Sequence, residues 1–382
     1  MTLFDQLDPS RYALPAELTS QLMSPALIIY MDRVRENIQS ILQAAGGDPE
    51  RWRPHVKTTK IPEVWAELMR AGIRNFKCAT TREAELLLHT LDSAGEHGDV
   101  LLAYPLIGPA LRRLGIIADK YPSSRVSVLC EDEHLVVEVP RQLSIFVDVN
   151  PGMDRTGVPV ADDYTIHAIA QAAGERLRGL HYYDGHLHDQ NLPDRRSLIR
   201  AGYEAVLELH GTLLRDGHAI EEIITAGTPA FLNALEFWSD HTPDGTQHRV
   251  SPGTVIFHDA CTEEDNPDLR LVPAALVFTR VVSRPTPQIA TCDAGSKAIA
   301  AEAGDPVAHV LGRPKLEAQT PNEEHLPLRI AGGRPPERGD EFLLIPRHVC
   351  PTVNLADEAV LIEEGVPWRI VPVAARGHEM IV

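Results

Sequence analysis

From residue 26 to residue 227 the chain alternates short apolar runs with longer amphipathic segments, and this rhythm constrains its fold more than any other feature. The runs are ALIIY (26–30), RPHV (53–56), RNFKCAT (74–80), VLLAYP (100–105), RVSVL (125–129), LSIFVDVN (143–150), LRGLHYYD (177–184) and EEIITAG (221–227). Between most of them lie helix-period segments such as TREAELLLHTL (81–91), GPALRRLGIIADKY (108–121), ADDYTIHAIAQAAG (161–174) and RRSLIRAGYEAVLELHGTLLRDG (195–217). Eight strand–helix units predict a (β/α)8 barrel rather than an open doubly wound sheet, which usually has fewer strands. After about residue 260 the texture changes. LVPAALVFTRVVS, QIATCDAGS, EFLLIP and WRIVPVAARG are short, rich in branched residues and separated by proline and glycine, as in a β domain.

At 382 residues the chain exceeds one typical core, in keeping with a barrel plus a smaller domain. Its 36 basic and 54 acidic residues give a net charge of −18, which opposes binding to nucleic acid or to an anionic membrane surface. No apolar run approaches the roughly 20 residues that cross a bilayer, and MTLFDQLDPSRYALP lacks the basic-then-apolar order of a signal peptide. A cytoplasmic protein is expected. The five cysteines are odd in number and show no CxxC spacing, which argues against a disulfide framework.

Against this acidic background RWRPHVKTTK (51–60) concentrates cationic side chains at the end of a predicted strand. Polar residues also follow the other runs: Thr80, Tyr104, Asn150, Tyr183 with Asp184 and His186, and Thr225. In a (β/α)8 barrel such positions form the face on which active sites are built. Lys57 has Arg53 and His55 nearby, and an amine beside other cations has a depressed pKa and a larger neutral fraction able to attack a carbonyl. Taken alone, a surface lysine explains Lys57 better. TAGTPA (225–230) and SPGTVIF (251–257) supply glycine turns whose backbone N–H groups and threonine hydroxyls can cradle a phosphate, although ordinary strand-to-helix turns also need glycine. Lysine and phosphate cradle together suggest pyridoxal phosphate. Arg155 in NPGMDRTGV (150–158) could face a ring nitrogen or a carboxylate, or pair with Asp148 or Asp154. In RHVCPTVNL (347–355), His348 and Cys350 share a face if the strand EFLLIP continues, and imidazole with thiolate suits zinc.

Taken in order, RPHVKTTK, TAGTPA, SPGTVIFHD, DAGSKA (293–298), PNEEH (321–325) and HVCPTVNL resemble the D-threonine aldolase and D-serine dehydratase family, whose barrel is shared with alanine racemase. The resemblance implies a pyridoxal phosphate-binding, alanine racemase-like (β/α)8 TIM barrel over residues 26–258 and a homodimer. It implies a second, mainly β domain from residues 1–25 plus 259–382 that carries the metal ligands. Lys57 would carry the cofactor and act as a base, and Arg155 would face the pyridine nitrogen. Gly227, Thr228, Gly253 and Thr254 would hold the phosphate, with His55, Tyr183 and Thr225 also around the cofactor. His348 and Cys350 match the family's divalent-metal pair, for zinc or manganese. Tyr183 and His188 resemble the aldolase branch, where an aromatic residue and a histidine act on the substrate hydroxyl. Cys350 stands where those aldolases carry a carboxylate and resembles the dehydratase zinc site. The implied substrate is a small D-amino acid with a β-hydroxyl, cleaved to glycine and an aldehyde as by D-threonine aldolase. The alternative is a dehydratase giving a 2-oxo acid and ammonia from D-serine or 3-hydroxyaspartate. An amino-acid racemase would use Lys57 but leave the metal pair without a purpose.

Overall fold

The computed structural model describes residues 3–188 and 192–382. The chain forms two compact units. One comprises Ile41–Lys57, Trp65–Gly253 and Gly377–Val382; the other comprises Met1–Ser40, Thr58–Val64 and Thr254–Arg376.

The first unit is built on seven parallel strands in spatial order: Asn75–Cys78, Asp99–Pro105, Arg125–Cys130, Ser144–Asn150, Leu177–Tyr182, Glu222–Thr225 and Gln247–Val250. Residues 52–56 link the two edge strands. Arg53 N–H donates to the Val250 carbonyl at 2.9 Å, Val56 N–H to the Lys77 carbonyl at 2.8 Å, and Lys77 N–H to the Pro54 carbonyl at 3.0 Å. Pro54 has no N–H to give, so this stave makes isolated bridges at Trp52 and His55 instead of a full ladder. Leu101, Leu129, Phe146 and Ile224 fill the interior. At the strand starts the buried Arg53 guanidinium binds Glu222 and Asp99.

The expected barrel strand Ala26–Tyr30 lies in the other unit. It pairs antiparallel with Ala275–Thr286 and parallel with Glu358–Glu363. A short apolar run specifies a strand that is buried on both faces, but not which sheet receives it. Gln247–Val250, in contrast, is a barrel strand that the apolar pattern does not predict. His248 and Arg249 are buried there because Thr225 and Glu222 satisfy them.

The second unit contains a closed antiparallel ring of six strands: Ala275–Thr286, Ile289–Cys292, Leu326–Ile330, Leu316–Ala318, Ala308–Val310 and Glu341–Pro346. Closure removes the free edges that an open sheet would expose. Val277, Cys292, Ile299, Leu326, Leu328 and Leu344 are among its buried core. No helix among the described residues is long and apolar enough to cross a membrane.

Candidate active site

Lys57 follows the 52–56 stave, and its backbone N–H donates to His55 Nδ1 at 3.4 Å. It lines a pocket of about 320 Å³ together with His55, Lys77, Arg155, His181 and Tyr183. Strand ends and the turns after them deliver these side chains, as the barrel reading expects. The Arg155 guanidinium lies 4.7 Å from the centre of the Tyr183 ring, and Lys77 Nζ lies 5.1 Å from it. Arg155 makes no ion pair among the described residues. Asp148 is taken by His181 and Thr156, and Asp154 by Asn150. Glycine makes room for the tyrosine: a Cβ on Gly227 would come within 2.8 Å of the Tyr183 ring, and one on Gly185 within 2.2 Å of its hydroxyl oxygen.

The glycine turns also allow close backbone approach. A Cβ on Gly253 would sit 2.2 Å from the His55 carbonyl oxygen, so that backbone approach is open to glycine alone. The turn containing Gly227 and the half-buried Thr228 leads into the helix Phe231–His241, whose N-terminus has no side-chain cap. The buried Ser251 hydroxyl finds no partner among the described residues, a polar atom suited to a ligand oxygen. The pocket offers a phosphate-bearing aldehyde an amine, a guanidinium and an aromatic face, while Gly227, Gly253 and Ser251 are not among its lining residues.

Other expected residues stand elsewhere. Thr225 is buried with its hydroxyl 2.8 Å from His248 Nε2, outside the pocket lining. His188 is exposed and also outside the lining. Thr80 caps the helix Thr81–Ser93, and Asn150 accepts the N–H groups of Gly152 and Asp154 to shape the loop that carries Arg155. Arg53 does not act as the cation expected beside Lys57, because Glu222 and Asp99 bind its guanidinium.

Lys77, His181 and Asp148 were not expected. Lys77 Nζ is 2.9 Å from His181 Nε2, and His181 Nδ1 is 2.7 Å from Asp148 Oδ1. Burial, followed by the charge of Lys57, drives Lys77 down to about 7. The sequence signal was a lysine within the four-residue buried strand NFKC, where a charge needs a partner. Asp184, buried beneath Gly227, is pushed up to about 6 by desolvation while Tyr203 donates to it at 2.6 Å.

In the second unit the strand Glu341–Pro346 ends before His348, so the expected shared strand face does not exist. His348 is instead the residue preceding the helix Val349–Leu355, and Cys350 is the second residue of that helix. The helix start brings imidazole and thiol together. His348 Nδ1 lies 2.6 Å from Glu302 Oε1, the arrangement in which a carboxylate orients a ligating ring and leaves Nε2 for an ion. Desolvation lowers the His348 pKa, but Cys350, Asp259 and Glu302 outweigh it and raise the ring to about 9. Cys350 Sγ is 3.0 Å from Thr58 Oγ1 and 3.3 Å from Thr254 Oγ1, so the Thr254 hydroxyl is engaged with the thiol. Asp259 is committed to the N–H groups of Val349 and Thr262. The described residues gather no set of three or more histidine, cysteine, aspartate and glutamate ligands. Imidazole and thiol are the donor types that suit a zinc-like ion.

A parallel α/β barrel with an amine-lined pocket, followed in one chain by a mainly β domain with an imidazole–thiol pair, defines an alanine racemase-like protein with an added metal-type donor set. Residues 29–261 match the alanine racemase N-terminal domain and residues 274–362 the putative serine dehydratase domain; the chain belongs to the alanine racemase-like family that carries this second domain. It is 28% identical over 381 residues to the D-threonine aldolase of Arthrobacter sp, a match covering 96% of each chain. It is 24% identical to the D-threo-3-hydroxyaspartate dehydratase of Delftia sp. (strain HT23), covering 87% of this chain and 92% of that one. The crystal structure of D-threonine aldolase from Filomicrobium marinum aligns with a TM-score of 0.80 at 26% identity, over 93% of this chain and 96% of that one.

Proposed function

We propose that the protein is a pyridoxal phosphate- and divalent metal-dependent lyase of D-β-hydroxy-α-amino acids, cleaving Cα–Cβ as a D-threonine aldolase does. The observation that carries this reading is the convergence of Lys57, Arg155 and Tyr183 on one barrel pocket. Full-length similarity to a D-threonine aldolase supports the choice of reaction.

Pyridoxal phosphate, when bound, supplies an electron sink for negative charge at Cα. Lys57 provides the amine that holds its carbonyl carbon and exchanges a proton at Cα. The Gly227 and Gly253 turns with Ser251 would hold the phosphate. Arg155 orients the ring, and Tyr183 closes one wall against water. His348 and Cys350 would hold a divalent ion, whose chemistry is to lower the pKa of a coordinated hydroxyl. Transfer of that hydroxyl proton to Lys57 would favour Cα–Cβ cleavage with release of an aldehyde, and its return to Cα would complete glycine.

A second reading, the dehydratase, draws on Cys350. A thiolate favours zinc over the harder ions associated with aldolase activity, and one relative is a dehydratase. Product analysis separates the two. Protein loaded with pyridoxal phosphate and zinc or manganese should convert D-threonine to glycine and acetaldehyde, whereas 2-oxobutanoate and ammonia would establish the dehydratase.

A further inference from the structure

The proposed chemistry leaves a buried amine of the pocket without a task. Lys77 sits in the barrel strand Asn75–Cys78 and is only 3% exposed, yet it lines the same cavity as Lys57. Its Nζ contacts His181 Nε2 at 2.9 Å, His181 Nδ1 contacts Asp148 Oδ1 at 2.7 Å, and Asp148 Oδ2 accepts the Thr156 hydroxyl at 2.8 Å. This order fixes where the hydrogens lie. Desolvation opposes the Asp148 charge, but the hydrogen bonds from His181 and Thr156 hold the carboxyl below its usual range, so it is an acceptor and Nδ1 carries the hydrogen. Burial and then Lys77 drive His181 down to about 4, so the ring is neutral and Nε2 is a bare acceptor. Lys77 must donate to it. One N–H is thereby committed to His181 whether the amine is charged or neutral, and the lone pair or remaining hydrogens are turned away from the ring.

The charged and titratable groups around this amine come from every neighbouring element. Lys57 and His55 belong to the 52–57 segment, Asp148 and Arg155 to the strand Ser144–Asn150 and its loop, and His181, Tyr183 and Asp184 to the strand Leu177–Tyr182 and its loop; Tyr104 adds a phenol to the lining. Two cations oppose an ammonium here and two carboxylates favour it. Such a balance is tipped by one further anion.

We propose that Lys77 is a second proton-exchanging amine of this pocket: it takes up a proton when a phosphate-bearing pyridine enters, and Asp148 and His181 position it for that exchange. The inference rests on the reading of the pocket as a pyridoxal phosphate site. Its physical basis is linkage: an anion in a poorly solvated cavity stabilises the ammonium, and a group whose affinity for protons rises on binding must take protons up.

Calorimetry of pyridoxine 5′-phosphate binding to cofactor-free protein, in two buffers of different ionisation enthalpy at one pH, counts those protons. The probe keeps the phosphate and pyridine but carries an alcohol in place of the aldehyde, so Lys57 cannot bond to it. Uptake approaching about one proton per site is expected near pH 8, fading below about pH 6, where Lys77 is already charged. Lys77→Met should lose the uptake. Lys77→Arg, a fixed cation, should bind the probe at both pH values without it, and keeps the test available if the methionine variant fails to fold. Binding with undiminished uptake in these variants would overturn the inference alone, while absence of binding to the unsubstituted protein would overturn the pocket reading with it.

Discussion

Arg53 and Glu222 are joined by two hydrogen bonds, Nε to Oε1 at 2.9 Å and Nη2 to Oε2 at 2.7 Å, with both side chains wholly buried where the barrel strands begin. Nη1 reaches Asp99 at 3.0 Å, and Arg249 adds a second guanidinium to Glu222 at 2.9 Å. This network ties the 52–56 stave to the strands Asp99–Pro105 and Glu222–Thr225. The stave has few ladder bonds of its own, so Arg53 supplies much of its attachment.

Arg53→Met should therefore destabilise the protein by about 3–5 kcal/mol, the usual cost of leaving a buried carboxylate short of its partner. Urea unfolding measures the loss. An effect near zero would mean that Arg249 and Arg178 satisfy Glu222 without Arg53.

Lys77 gives stability a pH dependence of known sign. Its pKa is about 7 in the folded protein against an ordinary 10.5, so between those values the unfolded chain binds more protons and stability rises with pH. Below about pH 7 both states are protonated, and the folded state carries the whole penalty of a buried cation. That depression corresponds to about 5 kcal/mol, of which about 1–3 is given back when His181 loses its donor. Lys77→Met should thus be more stable than the parent at neutral pH by roughly 2–4 kcal/mol and lose this pH slope. Thermal melts from pH 6 to 10 test both points, and a less stable variant with the slope retained would contradict them.

Cys350 should set the choice of ion. Replacing thiolate with carboxylate hardens the donor set, so Cys350→Asp should lower the preference for zinc over manganese by at least about tenfold while His348→Ala weakens both. Competitive metal titration reads the ratio directly. An unchanged ratio in Cys350→Asp would mean that the thiol does not bind the ion.

The barrel strands were legible because each run ends in a polar residue at a turn, and Lys57, Arg155 and Tyr183 fell on those ends. Ala26–Tyr30 was misplaced because its apolar run carries no record of its partner strands, Ala275–Thr286 and Glu358–Glu363. Gln247–Val250 escaped notice for the opposite reason: its buried His248 and Arg249 look like surface residues until Thr225 and Glu222 are seen beside them. Lys77 was hidden in the same way, since its partner His181 lies 104 positions further along the chain. His348 and Cys350 were paired by type and spacing on an expected strand, but they lie at a helix start.

Two amines line one pocket, and only one of them should bond to the cofactor. Borohydride reduction of the protein loaded with pyridoxal phosphate fixes the cofactor to whichever lysine has condensed with it, and peptide mass spectrometry then locates the adduct among the six lysines of the chain. The account predicts a single adduct on Lys57, lost in Lys57→Ala and retained in Lys77→Met. An adduct on Lys77, or none at either position, would contradict it.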